Sequence, residues 1–139
     1  MFITDNDYKV VIGEQALKVI SQASAENRAT SEKEAREEIS GYLRPVYDCN
    51  AIFSATGDSR NQQIVMYACD IALYNMASSM PQKMGMEIRK ERYERAVKWL
   101  EGVASGKIVP DIPRAVDESG QPSGGLITYG CDEKQQYNW

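Results

Sequence analysis

The most regular hydrophobic pattern of the chain lies within residues 87–113. Its apolar positions recur at three- and four-residue steps, which places them on one face of a helix with 3.6 residues per turn. These positions are Tyr93, Val97, Leu100 and Val103. Gly102 and Gly106 weaken and end such a helix, and Pro110 prevents its continuation. The pattern therefore predicts an amphipathic core helix with a defined stop.

A second segment, between Ile64 and Ala77, is apolar almost all round. Twelve of its fourteen residues are apolar or aromatic, and only Asp70 and Asn75 are not. A helix of this kind must be covered on nearly all sides. Two explanations stay open: the helix is the centre of its own bundle, or a neighbouring subunit also covers part of it. Its predicted limits are an N-terminal cap formed by Ser59 and Gln62, and Pro81 after its end.

Two further helices are predicted before this segment. Ala16, Leu17 and Ile20 share one face and predict a helix over residues 14–23. Ser31 and Glu34 match a capping box, which predicts that a helix begins there and ends before Pro45.

Two stretches around these helices are less regular. Residues 46–58 have the composition of a connecting loop. Residues 5–12 are left open, because a cap formed by Thr4 and Asp7 favours a helix whereas the residues from Tyr8 to Ile12 are β-prone.

Together these segments predict an all-α fold, a small bundle of about four helices over residues 1–113. The residues expected at its core are Tyr42, Leu43, Asp70, Ile71, Tyr93, Val97 and Leu100. Residues 114–139 contain four glycines and no helical period, which predicts a flexible C-terminal arm. It is either a disordered tail or an arm that orders on a partner through Leu126, Ile127, Thr128, Tyr129, Tyr137 and Trp139.

Composition and charge narrow the function classes. The chain has 139 residues and a net charge of −4, which suits one domain and argues against bulk nucleic-acid binding. Its three cysteines are widely spaced, which favours a reducing compartment over a disulfide framework or a zinc site. No apolar run reaches the ~18–20 residues of a membrane span, and no signal-peptide pattern is seen.

Asp70 is the one acidic residue on the apolar segment. A carboxylate there is costly without a partner, and Arg44, Arg60 and Arg89 are the candidates. We favour a structural ion pair over a catalytic role, because no second catalytic group is tied to Asp70 by spacing.

Motifs for chemistry are otherwise lacking. The sequence contains no histidine, which removes the usual proton shuttle and the commonest metal ligand. Residues 102–107 (GVASGK) look like a phosphate-binding loop but have one residue too few between the glycines and Ile108 at the magnesium-binding position. We therefore expect no enzyme activity and no catalytic, cofactor or metal residues.

Several segments, taken as an ordered set, resemble a known family. They are ISGYLRPVYDC at Ile39–Cys49, Arg60 with Asn61, DIALY at Asp70–Tyr74, Pro81, and the segment from Arg89 to Pro113. The set is similar to the Mu-like phage and prophage family once described only as a domain of unknown function, which is grouped with head–tail connector proteins. The resemblance covers roughly residues 30–113.

The resemblance implies an all-α adaptor in the virion neck, made in the cytoplasm of the bacterial host. Its subunits would form a homo-oligomeric ring on the portal protein, and could be monomers in isolation. The ring would extend a channel through which DNA passes without specific binding, and would receive a downstream neck or tail protein. The C-terminal arm would dock on the portal.

Two other classes share the same composition. One is a cytosolic helical interaction or regulatory protein without enzymatic activity, which the neighbouring genes would distinguish from a connector. The other is a DNA-binding module that uses residues 89–98, for which salt-dependent binding to duplex DNA is the test.

Overall fold

Three long helices form the body of the protein, and three short ones pack around them. The computed structural model describes residues 2–21, 25–78 and 86–116. The helices are α1 (Asp5–Ile12), α2 (Glu14–Ser21), α3 (Ala25–Leu43), α4 (Cys49–Ser54), α5 (Gln62–Ser78) and α6 (Met86–Ala104), with one 3-10 turn at Gly57–Ser59. Within these ranges no strand occurs, so the all-α prediction is confirmed. The described residues form six helices, whereas about four were expected. The two additional helices are α1, in the stretch left open, and α4, in the predicted loop over residues 46–58.

Helix α5 lies at the centre of the bundle. It packs against α1, α3 and α6, and between Ile64 and Ala77 all residues are buried except Met66, Tyr74 and Asn75, which are partly exposed. The elements of one chain therefore cover the apolar segment. Of the two explanations left open by the sequence, the structure supports the first, and burial of α5 needs no neighbouring subunit.

The open N-terminal segment is a helix. Thr4 and Asp7 form a reciprocal capping box, in which the Thr4 amide donates to Asp7 Oδ2 at 2.7 Å. Tyr8 is fully buried, and its hydroxyl donates to Glu32 Oε1 at 2.8 Å. The cap and this anchor explain why the segment is helical despite its β-prone residues. Gly13, with a φ of 80°, separates α1 from α2, and α2 confirms the start of the helix predicted over residues 14–23.

The predicted start of the next helix at Ser31 is wrong. Helix α3 begins six residues earlier, and Ser31 is buried inside it, so it cannot be the cap. Arg28 explains the longer helix, because it binds Asp5 at 2.6 Å and Glu32 at 3.1 Å and so joins the first turns of α3 to α1. The predicted end before Pro45 is confirmed.

Two predictions in the middle of the chain need correction. Residues 46–58 are not only a loop, because Asp48 accepts a hydrogen bond from the Ala51 amide at 3.1 Å and caps α4. The cap of α5 is Asn61, which accepts from the Ile64 amide at 3.1 Å, and not Ser59. The Ser59 hydroxyl donates instead to the Thr56 carbonyl within the preceding turn.

The chain returns to the bundle after α6. Gly106, with a φ of 84°, turns the chain, and residues 107–116 then cross one end of the bundle. The Asp48 amide donates to the Pro113 carbonyl, and the Ala115 amide to the Val46 carbonyl, both at 2.9 Å. The boundary between 113 and 114 stays a prediction. The six named arm residues and Pro81 lie outside the described residues.

Candidate functional site

The buried carboxylate of Asp70 is held from helix α6. Arg92 Nε donates to Asp70 Oδ1 at 2.7 Å, and Arg95 Nη2 donates to Oδ2 at 3.5 Å. The Asp70 side chain has no exposed surface, whereas those of Arg92 and Arg95 are 29% and 50% exposed. Two guanidinium groups thus neutralise a charge that cannot reach water, as a buried carboxylate requires.

None of the three arginines proposed from the sequence binds Asp70. Arg44 pairs with Glu37, and Arg60 pairs with Asp7. Arg89 is on the correct helix, but one turn too early. Helices α5 and α6 run antiparallel, as shown by the contacts of Tyr74 with Tyr93 and of Tyr67 with Trp99, and this pairing brings Arg92 and Arg95 to the level of Asp70.

Arg89 is a buried cation beside this pair. It is 9% exposed, and its Nη1 has no hydrogen-bond partner among the described residues. Burial lowers the pKa of Arg89, the charge of Arg92 lowers it further, and Asp70 opposes the shift. The α5–α6 contact therefore carries three arginines and one carboxylate, which leaves an excess of positive charge.

Positive charge also predominates in an open groove between α5 and α6, near the C-terminal end of α6. The groove, called here the α5–α6 groove, has a volume of about 670 Å³. Its buried lining includes Tyr67 and Trp99, whose ring centroids are 5.0 Å apart. Its exposed charged residues are Arg95, Lys98, Lys107 and Glu101. An aromatic base edged mainly by cations is suited to an acidic segment that also carries apolar side chains.

A second polar network attaches α1 to the bundle. Arg60 Nη1 donates to Asp7 Oδ2 and to the Phe2 carbonyl, each at 2.6 Å. Burial alone would raise the pKa of Asp7, but the hydrogen bonds from Arg60 and Thr4 outweigh it and hold that pKa below its ordinary value. Burial and the charge of Glu32 raise the pKa of the Tyr8 phenol. These contacts are structural and hold the N-terminal helix in place.

Among the described residues, the two free thiols, Cys49 and Cys69, lie away from any cluster of ligands. Burial raises the pKa of Cys49, and raises that of Cys69 to about 12. In the described part of the chain, no three His, Cys, Asp or Glu side chains are grouped to hold a metal ion. The helices seen there also include none whose length and apolar character would let it cross a membrane.

The core residues named from the sequence occupy different depths. Leu43, Ile71 and Leu100 are fully buried, whereas Tyr42 and Val97 are partly exposed. Tyr93 is also partly exposed, and links all three long helices. Its ring stacks on Tyr74 at 4.4 Å, and its hydroxyl donates to Glu38 at 2.8 Å, which together with burial raises its pKa to about 12.

Trp99 and the groove that it lines were not predicted from the sequence. The stripe traced from Tyr93 to Val103 is only one edge of the buried face of α6, and Ala96 and Trp99 form the other edge. A large aromatic residue beside Leu100 was the available signal. The contribution of Ile108 could not be found, because it depends on the fold-back of the chain after Gly106.

Comparisons with known proteins give one family and no individual relative. Neither the curated proteins nor the solved structures include a match. The family model described as bacteriophage Mu, Gp36 matches residues 2–128, a range that contains all six helices. Since this match spans most of the 139 residues, the chain belongs to the bacteriophage Mu Gp36 family.

Proposed function

We propose that this phage protein is a head–tail connector subunit that assembles as a ring on the portal and joins the capsid to the tail. The observation that carries the proposal is the family match over residues 2–128, which supports a role in phage structure or morphogenesis. Segments within that range resemble a Mu-like phage family that is grouped with head–tail connector proteins. The role is structural, and it needs no enzyme activity or cofactor.

The self-contained bundle supports this proposal. Because α5 is buried by its own chain, the subunit can fold before it meets another copy. A subunit of this kind can remain a monomer until the portal gathers it into a ring. Assembly then uses surfaces, such as the α5–α6 groove, that folding leaves open.

The remaining parts of the proposal concern partners and location. The ring lies in the virion neck after synthesis in the host cytoplasm, contacts the portal on one side and receives a neck or tail protein on the other. DNA passes through its channel. The net charge of −4 suits this passage, because a negative wall does not hold the phosphate backbone.

Residues 117–139 are proposed to contact another protein chain of the neck. They include Leu126, Ile127, Tyr129 and Trp139, apolar and aromatic side chains of the kind that anchor a segment on a partner. The portal is the partner that the resemblance implies.

Deletion of the gene from a phage that carries it tests the function. We expect lysates that contain separate DNA-filled heads and complete tails, with joined virions restored by a plasmid copy. Electron microscopy of the lysates gives the ratio of joined to separate particles. Normal numbers of joined virions in the deletion would refute the connector role, and loss of capsids would indicate an earlier step.

A further inference from the structure

We propose that the α5–α6 groove binds residues 117–139 of a neighbouring copy, so that each subunit in the ring donates its C-terminal segment to the next. The inference rests on the proposed ring and names the surface that links its subunits. It gives the C-terminal segment a partner other than the portal.

The chemistry of the groove sets the kind of segment that fits. Tyr67 and Trp99 supply an aromatic base, and Arg95, Lys98 and Lys107 outnumber the single acid Glu101. Arg95 already forms an ion pair with Asp70, and its guanidinium lies 5.7 Å from the centre of the Tyr67 ring. Lys98 and Lys107 are thus the cations best placed to receive carboxylates from outside.

Residues 117–139 have the complementary chemistry. Their acids are Asp117, Glu118, Asp132 and Glu133, against the single base Lys134. Tyr129, Tyr137 and Trp139 add aromatic rings that can stack on the groove base. Opposite net charge and shared aromatic content favour this segment over a purely acidic or purely apolar occupant.

The groove and the start of this segment lie at different helix pairs. The groove is at α5 and α6, whereas the chain reaches residue 116 beside α3 and α4. Lys107 and Ile108 line the groove. The chain then passes the start of α5, where Asn61 Nδ2 donates to the Asp111 carbonyl at 3.2 Å, and reaches the α3–α4 corner at Val46. Residues 107–116 thus cross the bundle end from the groove to the corner from which residues 117–139 depart.

This separation matches the contact that a ring needs. A ring is built from a head-to-tail interface, in which two different surfaces of each subunit meet. The groove is one such surface, and the segment that leaves the α3–α4 corner is the other. At about 3.3 Å per residue, residues 117–139 can span on the order of 75 Å, enough to reach the next subunit.

Disulfide trapping in the full-length chain tests the proposal. Ser105 lines the groove and is exposed, and Cys131 lies within the proposed donor segment. In a Cys49→Ser background, Ser105→Cys is oxidised with glutathione disulfide, with and without the cognate portal. We expect dimers and longer oligomers joined through positions 105 and 131, identified by mass spectrometry. A cysteine at the exposed Ser54 is the position control.

Charge variants then show whether the disulfide forms because the segment binds in the groove or because the cysteines collide at random. Lys98→Glu with Lys107→Glu should lower the yield of the 105–131 bond about tenfold, since exposed ion pairs contribute a few-fold each. Lys33→Glu with Lys90→Glu makes the same change in net charge at exposed sites outside the groove, and should leave the yield unchanged.

Three results would overturn the inference. They are a bond formed only within single chains at all dilutions, a yield at position 105 no higher than at position 54, and capture of Cys131 by the portal alone. The connector role is judged separately by the gene deletion. Separate heads and tails in that deletion, together with any of these three results, would leave the connector role in place and remove only the subunit link.

Discussion

The Asp70 cluster makes the sharpest prediction about stability. Arg92→Met removes the 2.7 Å partner of a carboxylate that has no exposed surface, and leaves Arg95 at 3.5 Å and the nearby charge of Arg89. Removing one member of a buried ion pair typically costs ~3–5 kcal/mol, because the other charge stays buried without compensation. Since Arg95 and Arg89 retain part of the compensation, we expect a loss at the low end of this range, about 3 kcal/mol in the free energy of unfolding.

Arg95→Met is the matched comparison on the same helix and the same carboxylate. Its side chain is half exposed and its contact with Asp70 is longer, so the pair resembles a surface ion pair worth ~0.5–1 kcal/mol. Adding Asp70→Asn to Arg92→Met removes the buried charge itself. The double variant should therefore be more stable than Arg92→Met alone by about 1–2 kcal/mol.

Urea denaturation followed by circular dichroism measures these differences. A loss of about 3 kcal/mol corresponds to a fall in Tm on the order of 10 °C for a chain of this size. Lys90→Met, at an exposed site on α6, should change stability by no more than about 0.5 kcal/mol. Equal losses in Arg92→Met and Arg95→Met, or a loss below 1 kcal/mol in Arg92→Met, would refute the reasoning.

Three further predictions concern the elements around this core. The pKa of Asp7 is lower in the folded state than its ordinary value of 3.8, so the ionised carboxylate stabilises the fold fully above pH 3.8. This stabilisation is lost as the pH falls below 3.8 toward the pKa of the folded state. Asp7→Asn should therefore flatten the acid side of the stability profile measured by urea denaturation, and an unchanged acid slope would contradict this. Gly106→Ala should lower the free energy of unfolding by ~1–2 kcal/mol because of its φ of 84°, whereas Gly41→Ala in the last turn of α3, where an added Cβ meets nothing within 4 Å, should raise it by about 0.5 kcal/mol. Asn61→Ala should cost about 1 kcal/mol and more than Ser59→Ala, since only Asn61 caps α5; the reverse order would favour the cap expected from sequence.

The helical class could be predicted because periodicity reports burial directly. The apolar segment from Ile64 to Ala77 indicated a covered helix, and the structure shows it at the centre of the bundle. The sequence could not decide what covers it, because that depends on how α1, α3 and α6 pack around it. It also misplaced the start of α3, since the capping pattern at Ser31 competes with the contacts of Arg28 to Asp5 and Glu32.

The candidate site was less accessible to sequence reasoning. Asp70 was singled out, but its partners depend on the antiparallel register of α5 and α6, which no local pattern encodes. The α5–α6 groove likewise requires the fold-back that brings Lys107 and Ile108 beside Trp99. These features arise from tertiary packing between segments that are distant in the chain.

Electron microscopy of the full-length protein mixed with its cognate portal shows whether this protein acts as a connector. For a connector, we expect class averages in which an additional ring of this protein extends the portal channel along its axis. The portal alone and the protein alone provide the reference images. Portal particles without an added ring, at protein concentrations well above that of the portal, would show that this protein is not a portal-bound connector.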